Sequence, residues 1–121
     1  MRNLFESRGM SLPPNQFFKC LSDDTRLKCL LLLLDRASLC VCELHEALSL
    51  SQPKVSRHLA ELRHCGLVLD ERRGRWMHYR LHPDLPNWAL ECLRSVKAEN
   101  PKYIEACEAR VNVLPLCEGV S

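Results

Sequence analysis

The sequence has no long apolar run, and this absence limits what the chain can be. Its longest uninterrupted apolar stretch, from Cys29 to Leu34, has six residues, whereas a membrane span needs about twenty. The first fifteen residues contain no apolar segment of the kind found in signal peptides. We therefore expect a cytoplasmic protein with no membrane partner.

Glycine is also scarce, and neither sign of charge dominates. The 121 residues include 4 Gly and 7 Pro, and 17 basic against 15 acidic side chains give a formal charge of +2. With 46% hydrophobic residues, this composition is typical of a single globular domain. It excludes a disordered or a fibrous chain.

Sequence signatures of catalysis are missing as well. The chain has no glycine-rich loop that would bind a phosphate group, and no Cys-x-x-Cys pair. A thiol-dependent reductase would also need a basic pocket beside a thiol, and no such arrangement is visible in the sequence. We therefore predict that the protein is not an enzyme and uses no organic cofactor.

The basic residues are concentrated in the middle of the chain. Residues 51–82 hold seven basic and three acidic side chains, a local charge of +4, whereas residues 83–121 carry a charge of −2. Such an asymmetry is typical of a surface that binds a polyanion, nucleic acid above all. A solvated basic face is the alternative explanation of the charge alone.

Hydrophobic spacing and capping residues predict a series of helices. They cover residues 15–21, a segment from a cap at Ser22 to about Leu34, and residues 41–48, 52–64 and 86–99. Ser51 is the expected N-cap of the helix over 52–64. Because a turn of only three residues separates this helix from the preceding one, the pair is predicted to form a helix-turn-helix.

Two short apolar segments follow this helix pair. Residues 67–69 and 76–81 are predicted to be the strands of a hairpin with Gly74 in its turn. The fold class is therefore mainly α with a small β-hairpin, a winged helix-turn-helix that we expect to be dimeric. We divide the chain into a flexible arm (1–14), the DNA-binding and dimerisation domain (15–99) and a C-terminal tail (100–121) containing at most a short helix.

The second helix of the helix-turn-helix and the hairpin tip carry the candidate DNA contacts. The first turns of a recognition helix reach base edges in the major groove, where Gln, Ser and Arg can read bases and Lys contacts phosphate. Arginines on a wing can follow the DNA backbone or enter the minor groove. The predicted DNA-binding residues are Gln52, Lys54, Ser56, Arg57 and His58 in the helix, and Arg72, Arg73 and Arg75 in the tip.

A Cys-x-Cys pair, Cys40 and Cys42, lies at the predicted start of the first of these two helices. Side chains two residues apart stand about 200° apart on a regular helix, but they point the same way in extended chain. An ion bound to both sulfurs would therefore reshape the first helical turn. Thiolates suit soft ions such as trivalent arsenic and antimony. Two small buried residues are the alternative, and His45 extends the pattern to one that could hold zinc.

The other cysteines give weaker signals. Four of them lie on apolar stripes or at the ends of predicted helices, and we interpret them as packing residues: Cys20, Cys29, Cys65 and Cys92. Cys107 and Cys117 lie in the tail, and either could fold back to supply a third thiolate.

Four stretches of the chain resemble the ArsR/SmtB family of metalloregulatory repressors, and most closely its arsenic-responsive members. They are Leu21 to Leu27, Leu39 to Leu44, Leu50 to Leu59 and Gly66 to Leu81, in the same order and spacing. The resemblance covers about residues 15–95. It implies a homodimeric winged helix that binds double-stranded operator DNA and dissociates when an ion binds, with the first and last helices at the dimer face.

The resemblance carries Cys40 and Cys42 over as ligands of trivalent arsenic or antimony, the expected inducer. Arsenic-responsive relatives usually have a third cysteine where this chain has His45. The third ligand is therefore His45, Cys29, Cys117 or an external thiol. A repressor on the same fold that responds to thiol oxidation or to another soft metal is the alternative function.

Overall fold

Six helices and one small sheet make up the part of the chain that the computed structural model describes, residues 11–113. The elements are α1 (Pro14–Leu21), α2 (Asp24–Leu33), β1 (Leu39–Cys40), α3 (Val41–Leu48), α4 (Gln52–His64), β2 (Val68–Arg73), β3 (Trp76–Leu81), α5 (Asn87–Glu99) and α6 (Pro101–Val113). The mainly α fold with a winged helix-turn-helix is confirmed. Within this range, no helix is long and apolar enough to cross a membrane.

The sheet has three antiparallel strands in the order β1-β3-β2. Strands β2 and β3 form the predicted hairpin, in register from Val68 opposite Leu81 to Arg73 opposite Trp76. Gly74 turns the chain with a φ of +63°, a conformation that glycine adopts without steric cost. Strand β1 was not predicted, because two residues give no periodic signal and pair only through their contact with β3.

Helix α2 lies at the centre of the fold. Four consecutive leucines, at positions 30–33, are fully buried, so several faces of this helix contact other elements. Its N-cap is Asp23, whose carboxylate accepts a hydrogen bond from the Arg26 amide at 3.1 Å. The prediction of Ser22 as the cap is wrong, because Ser22 ends α1 and donates its hydroxyl hydrogen to the Lys19 carbonyl.

Helices α3 and α4 form the helix-turn-helix with the predicted bounds. The Ser51 hydroxyl caps α4 by accepting from the Lys54 amide at 3.4 Å. Val55, Leu59 and Leu62 are fully buried on one stripe of α4. The opposite face of α4 is therefore left for other contacts.

The region expected to be a tail differs most from the prediction. Helix α6 has 13 residues, and Ile104, Cys107 and Val111 are buried on the face that packs against α2 and α3. The ordered fold thus continues past residue 99 because this apolar stripe extends the core. Residues 1–10 of the arm and residues 114–121, with Cys117, lie outside the described range.

Polar contacts also attach α6 to the rest of the fold. Glu108 accepts a hydrogen bond from Arg36 at 2.6 Å and pairs with Lys97 at 2.8 Å. Burial raises the pKa of Glu108, but the two cations outweigh this effect and the net pKa is lowered. Arg110 donates to the Ala47 carbonyl at the C-terminal end of α3.

Two cysteines that we had assigned to packing are bonded to each other. Cys20, in α1, and Cys65, the C-cap of α4, form a disulfide across 45 residues of sequence. The bond connects α1 to the end of α4. Sequence spacing could not reveal it, because it depends on how α1 and α4 meet in three dimensions.

Replacing Glu108 by Gln is expected to lower the free energy of unfolding at pH 7 by roughly 1–2 kcal/mol, since two charged partners lose a carboxylate. The folded-state pKa of Glu108 lies below its ordinary value of 4.5. Its contribution is therefore full above that pH and is lost as the pH falls through the folded-state pKa. Urea unfolding between pH 2 and pH 7 (roughly the titration range of carboxylates), followed by circular dichroism, measures both effects.

The matched control is Glu105→Gln, which alters an exposed carboxylate on the same helix and should behave like the wild type. Identical pH profiles for the wild-type protein and the Glu108→Gln variant would contradict the prediction.

Candidate functional site

The predicted DNA-contacting residues lie on one helix face and one hairpin tip. Gln52, Lys54 and Arg57 are exposed on α4, and Ser56 is half-buried beside them. The side chains at the tip, Arg72, Arg73 and Arg75, are exposed as well. The arrangement provides a positively charged surface with hydrogen-bond donors at the N-terminal end of α4, which suits base edges flanked by phosphates.

His58 lies apart from this surface. Its Nδ1 atom is 3.6 Å from the Asp23 carboxylate, and the side chain is half-buried. Asp23 is also the N-cap of α2, so the His58 side chain faces the start of the central helix. The sequence pattern that placed His58 among the DNA contacts contained no information on this pairing.

Cys40 and Cys42 form the second candidate site, at the junction between β1 and α3. Cys40 has an extended backbone (φ −73°, ψ 150°) and is the residue before the first helical turn. Its Sγ atom lies 2.7 Å from the Sγ atom of Cys42. The two sulfurs therefore converge, as the geometry of a helix start requires. Cys40 is fully buried, whereas Cys42 is half-buried.

The Cys40 side chain also caps α3. Its Sγ atom accepts a hydrogen bond from the Cys42 amide at 3.4 Å, while the Glu43 carboxylate accepts from the Cys40 amide at 2.8 Å. This is a capping box in which a thiol takes the usual place of a Ser or Thr hydroxyl. A ligand that binds this sulfur would therefore act directly on the atom that caps the helix.

Glu43 is a second residue of this helix cap that was not predicted from the sequence. It is a buried carboxylate, only 5% exposed, and it supports the backbone of a candidate ligand. Its position three residues after Cys40 is the spacing of a capping box, which could have revealed it if cysteine had been considered as a cap.

The sulfur pair is connected to both elements that carry the predicted DNA contacts. Cys40 lies opposite His78 in the β1–β3 ladder, so β1 extends the sheet of the wing. From the middle of α3, His45 Nδ1 contacts the Leu50 carbonyl at 3.2 Å, in the turn before α4. Displacement of the first turn of α3 can therefore affect the wing and the recognition helix.

The third ligand has no place in the described structure. Within residues 11–113, no three His, Cys, Asp or Glu side chains are arranged to hold a metal ion. Cys29 is fully buried, and burial raises the pKa of its thiol to about 12, so forming a thiolate there is costly. His45 donates from Nδ1 to a carbonyl, so only its Nε2 atom could bind an ion, and Cys117 lies outside the described range.

A model of bacterial regulatory proteins of the arsR family matches residues 23–69, which hold the sulfur pair and the helix-turn-helix. The arsenic resistance transcriptional regulator ArsR1 of Pseudomonas putida is 50% identical over 77% of this chain and 73% of its own length. The arsenical resistance operon repressor of Escherichia coli is 55% identical over 68% of this chain and 70% of its own length.

Solved structures agree with these sequence matches. The AntR antimony-specific transcriptional repressor superposes with a TM-score of 0.62 and 27% identity, covering 84% of this chain and 87% of its own. A homodimeric winged helix-turn-helix DNA-binding domain, Mb0332 from Mycobacterium bovis, has a TM-score of 0.60 at 23% identity, covering 76% of this chain and 82% of its own. The second match shows the fold alone.

Replacing Glu43 by Ala should destabilise the start of α3, because the Cys40 amide loses its acceptor. The expected loss in the free energy of unfolding is about 1–2 kcal/mol, measured by urea unfolding. Glu43→Gln keeps an acceptor and should lose less. Glu46→Ala, an exposed acid on the same helix, is the control, and an equal loss in this control would disprove the capping role.

Proposed function

The chain belongs to the ArsR family of bacterial regulatory proteins, and we propose that it is a transcriptional repressor released from operator DNA by trivalent arsenic or antimony. The converging sulfur atoms of Cys40 and Cys42, at the start of the first helix of the helix-turn-helix, carry this proposal. Two relatives named for arsenic resistance and a structural neighbour named as antimony-specific support the choice of ion.

Operator DNA is the partner that the exposed face of α4 and the basic wing fit best. Arg57 can donate two hydrogen bonds to a guanine edge, and Lys54 can contact phosphate. The arginines of the tip extend the contact along the DNA backbone. Such a partner implies action in the cytoplasm, where bacterial operators lie.

A second copy of the chain is the expected partner of α1 and α5. Phe17 is buried and packs edge-on against Phe18 and Trp88, with ring centroids 5.2 and 5.0 Å apart. Phe18 is 52% exposed and Trp88 is 40% exposed. Exposed aromatic side chains where these two helices meet favour an interface.

Release follows from the two roles of one sulfur atom. Cys40 Sγ accepts the hydrogen bond that starts α3, and we propose that DNA binding favours this capped start of the helix. When Cys40 and Cys42 bind the ion as thiolates, the ion fixes the positions of both sulfur atoms, and the first turn of α3 changes shape to accommodate them. The ion therefore binds the altered conformation better than the capped one. By linkage, ion and DNA weaken each other's binding by the same factor.

A response to thiol oxidation on the same fold is the second candidate function, and the Cys20–Cys65 disulfide is the observation that favours it. The two functions differ in what releases the DNA. In the presence of a thiol reductant, arsenite should release the operator only if the first function holds. An oxidant such as hydrogen peroxide, without arsenite, should release it only if the second holds.

Arg57→Ala should weaken operator binding by roughly 1–3 kcal/mol and relax the base preference at one position. Arg73→Ala and Arg75→Ala should weaken binding evenly across sequences and flatten the salt dependence, because phosphate contacts release counterions. Fluorescence anisotropy with operator and scrambled DNA at several salt concentrations separates these effects. Lys102→Ala, on the exposed side of α6, is the control. Unchanged affinity in all three arginine variants would refute the proposed DNA surface.

Cys40→Ser and Cys42→Ser should each bind operator like the wild type but no longer respond to arsenite. Serine preserves the cap, since its hydroxyl is a good N-cap acceptor, but it offers a hard oxygen where the ion needs a soft thiolate. Arsenite should weaken wild-type binding about 10- to 100-fold and leave both variants unchanged, as measured by anisotropy with a thiol reductant present.

Cys92→Ser, which alters a half-buried cysteine outside the site, should respond to arsenite like the wild type. Normal release of DNA from the Cys40→Ser and Cys42→Ser variants would refute the inducer site while leaving the DNA-binding role intact.

A further inference from the structure

We propose that His45 is a positioning residue that connects the sulfur pair to the recognition helix, and that it is not a ligand of the ion. The inference rests on the proposed function and deepens it, because it names the contact through which the site acts on DNA binding. The observation behind this inference is the contact between His45 Nδ1 and the Leu50 carbonyl, 3.2 Å apart, in the turn between α3 and α4.

His45 and Leu50 are joined twice. In addition to the side-chain contact, the Leu50 amide donates to the His45 carbonyl at 3.1 Å. These two hydrogen bonds close the turn that leads to Ser51, the N-cap of α4. The turn is only three residues long, so its conformation sets the direction in which α4 leaves α3.

The turn has a conformation that needs such support. Ser49 has a φ of +57° and a ψ of 43°, in the left-handed region, and it is the one non-glycine residue with a positive φ within residues 11–113. A side chain is disfavoured there, and glycine usually takes this position at the end of a helix. Contacts from neighbouring residues must therefore hold the turn in place, and the His45 side chain provides one.

His45 also follows the site on the same helix. Cys42 and His45 are three residues apart, so they lie on one face of α3, about one turn from each other. Reshaping the first turn at Cys42 therefore alters the position of His45 relative to Leu50. The effect on α4 follows, because the His45–Leu50 contact fixes the turn before it.

The role of a ligand fits His45 less well. Imidazole nitrogen is a harder donor than the thiolates that trivalent arsenic prefers, so His45 would be a weaker ligand for this ion than a third thiolate. The described structure also contains no three-residue cluster of metal-binding type that would include His45.

The test compares His45→Ala with His45→Asn, because an Asn amide N–H can replace the Nδ1 donor but the side chain lacks Nε2. Operator affinity without arsenite is measured by anisotropy. Binding of arsenite to the protein alone is measured by equilibrium dialysis with a thiol reductant present. Circular dichroism confirms that each variant is folded.

We expect His45→Ala to weaken ligand-free operator binding about tenfold and to reduce the effect of arsenite on DNA. Its affinity for arsenite should remain within about twofold of the wild type. His45→Asn should behave like the wild type in both assays. Adding Ser49→Gly to His45→Ala should recover operator affinity, because glycine removes the steric cost of the turn.

Loss of arsenite binding in both variants, with ligand-free operator affinity intact, would show that His45 is a ligand and would overturn the proposal. Wild-type behaviour of His45→Ala in every assay would overturn it as well. If the wild-type protein bound operator but ignored arsenite, the inducer assignment would fail on its own. The contrast between Ala and Asn in ligand-free operator affinity would still decide whether His45 positions α4.

Discussion

The hydrogen-bonded start of α3 is the feature on which the rest of the molecule depends. One residue, Cys40, ends the strand that extends the wing and caps the helix that precedes α4. A hydroxyl cap would hold this junction more firmly than sulfur, which is a weak acceptor. A thiol cap therefore gives up some stability at the helix start in exchange for an atom that a soft ion can bind. Glu43 offsets the weaker cap, because its carboxylate accepts a hydrogen bond from the Cys40 amide.

The predictable parts of the structure are those determined by local chemistry. The bounds of α3 and α4 follow from apolar spacing and from Ser51, and the convergence of the two sulfurs follows from their place at a helix start. The missed parts depend on contacts between distant segments. Strand β1 exists only beside β3, and the Cys20–Cys65 bond depends on where α1 meets α4. The contact between His58 and Asp23 depends on the position of α2 relative to α4, which the sequence pattern does not give.

Family membership and local geometry inform different parts of the function. The matches to relatives indicate the class of protein and the winged fold, since similarity extends over most of the described chain. They do not determine what replaces the third cysteine, where this chain has His45. The His45 side chain contacts the turn between α3 and α4, so histidine at this position has a structural role of its own. A departure from the family pattern therefore need not be a loss of function.

The Arg110 contact has a mechanical consequence for α3. This guanidinium, from α6, donates to the Ala47 carbonyl near the C-terminal end of the helix, while the opposite end is held by the sulfur cap, the Glu43 carboxylate and the pairing of Cys40 with β3. A change at the first turn therefore acts on a helix whose far end is bonded to α6. Through this contact α6 is linked to the helix that precedes α4, although it carries none of the predicted DNA contacts.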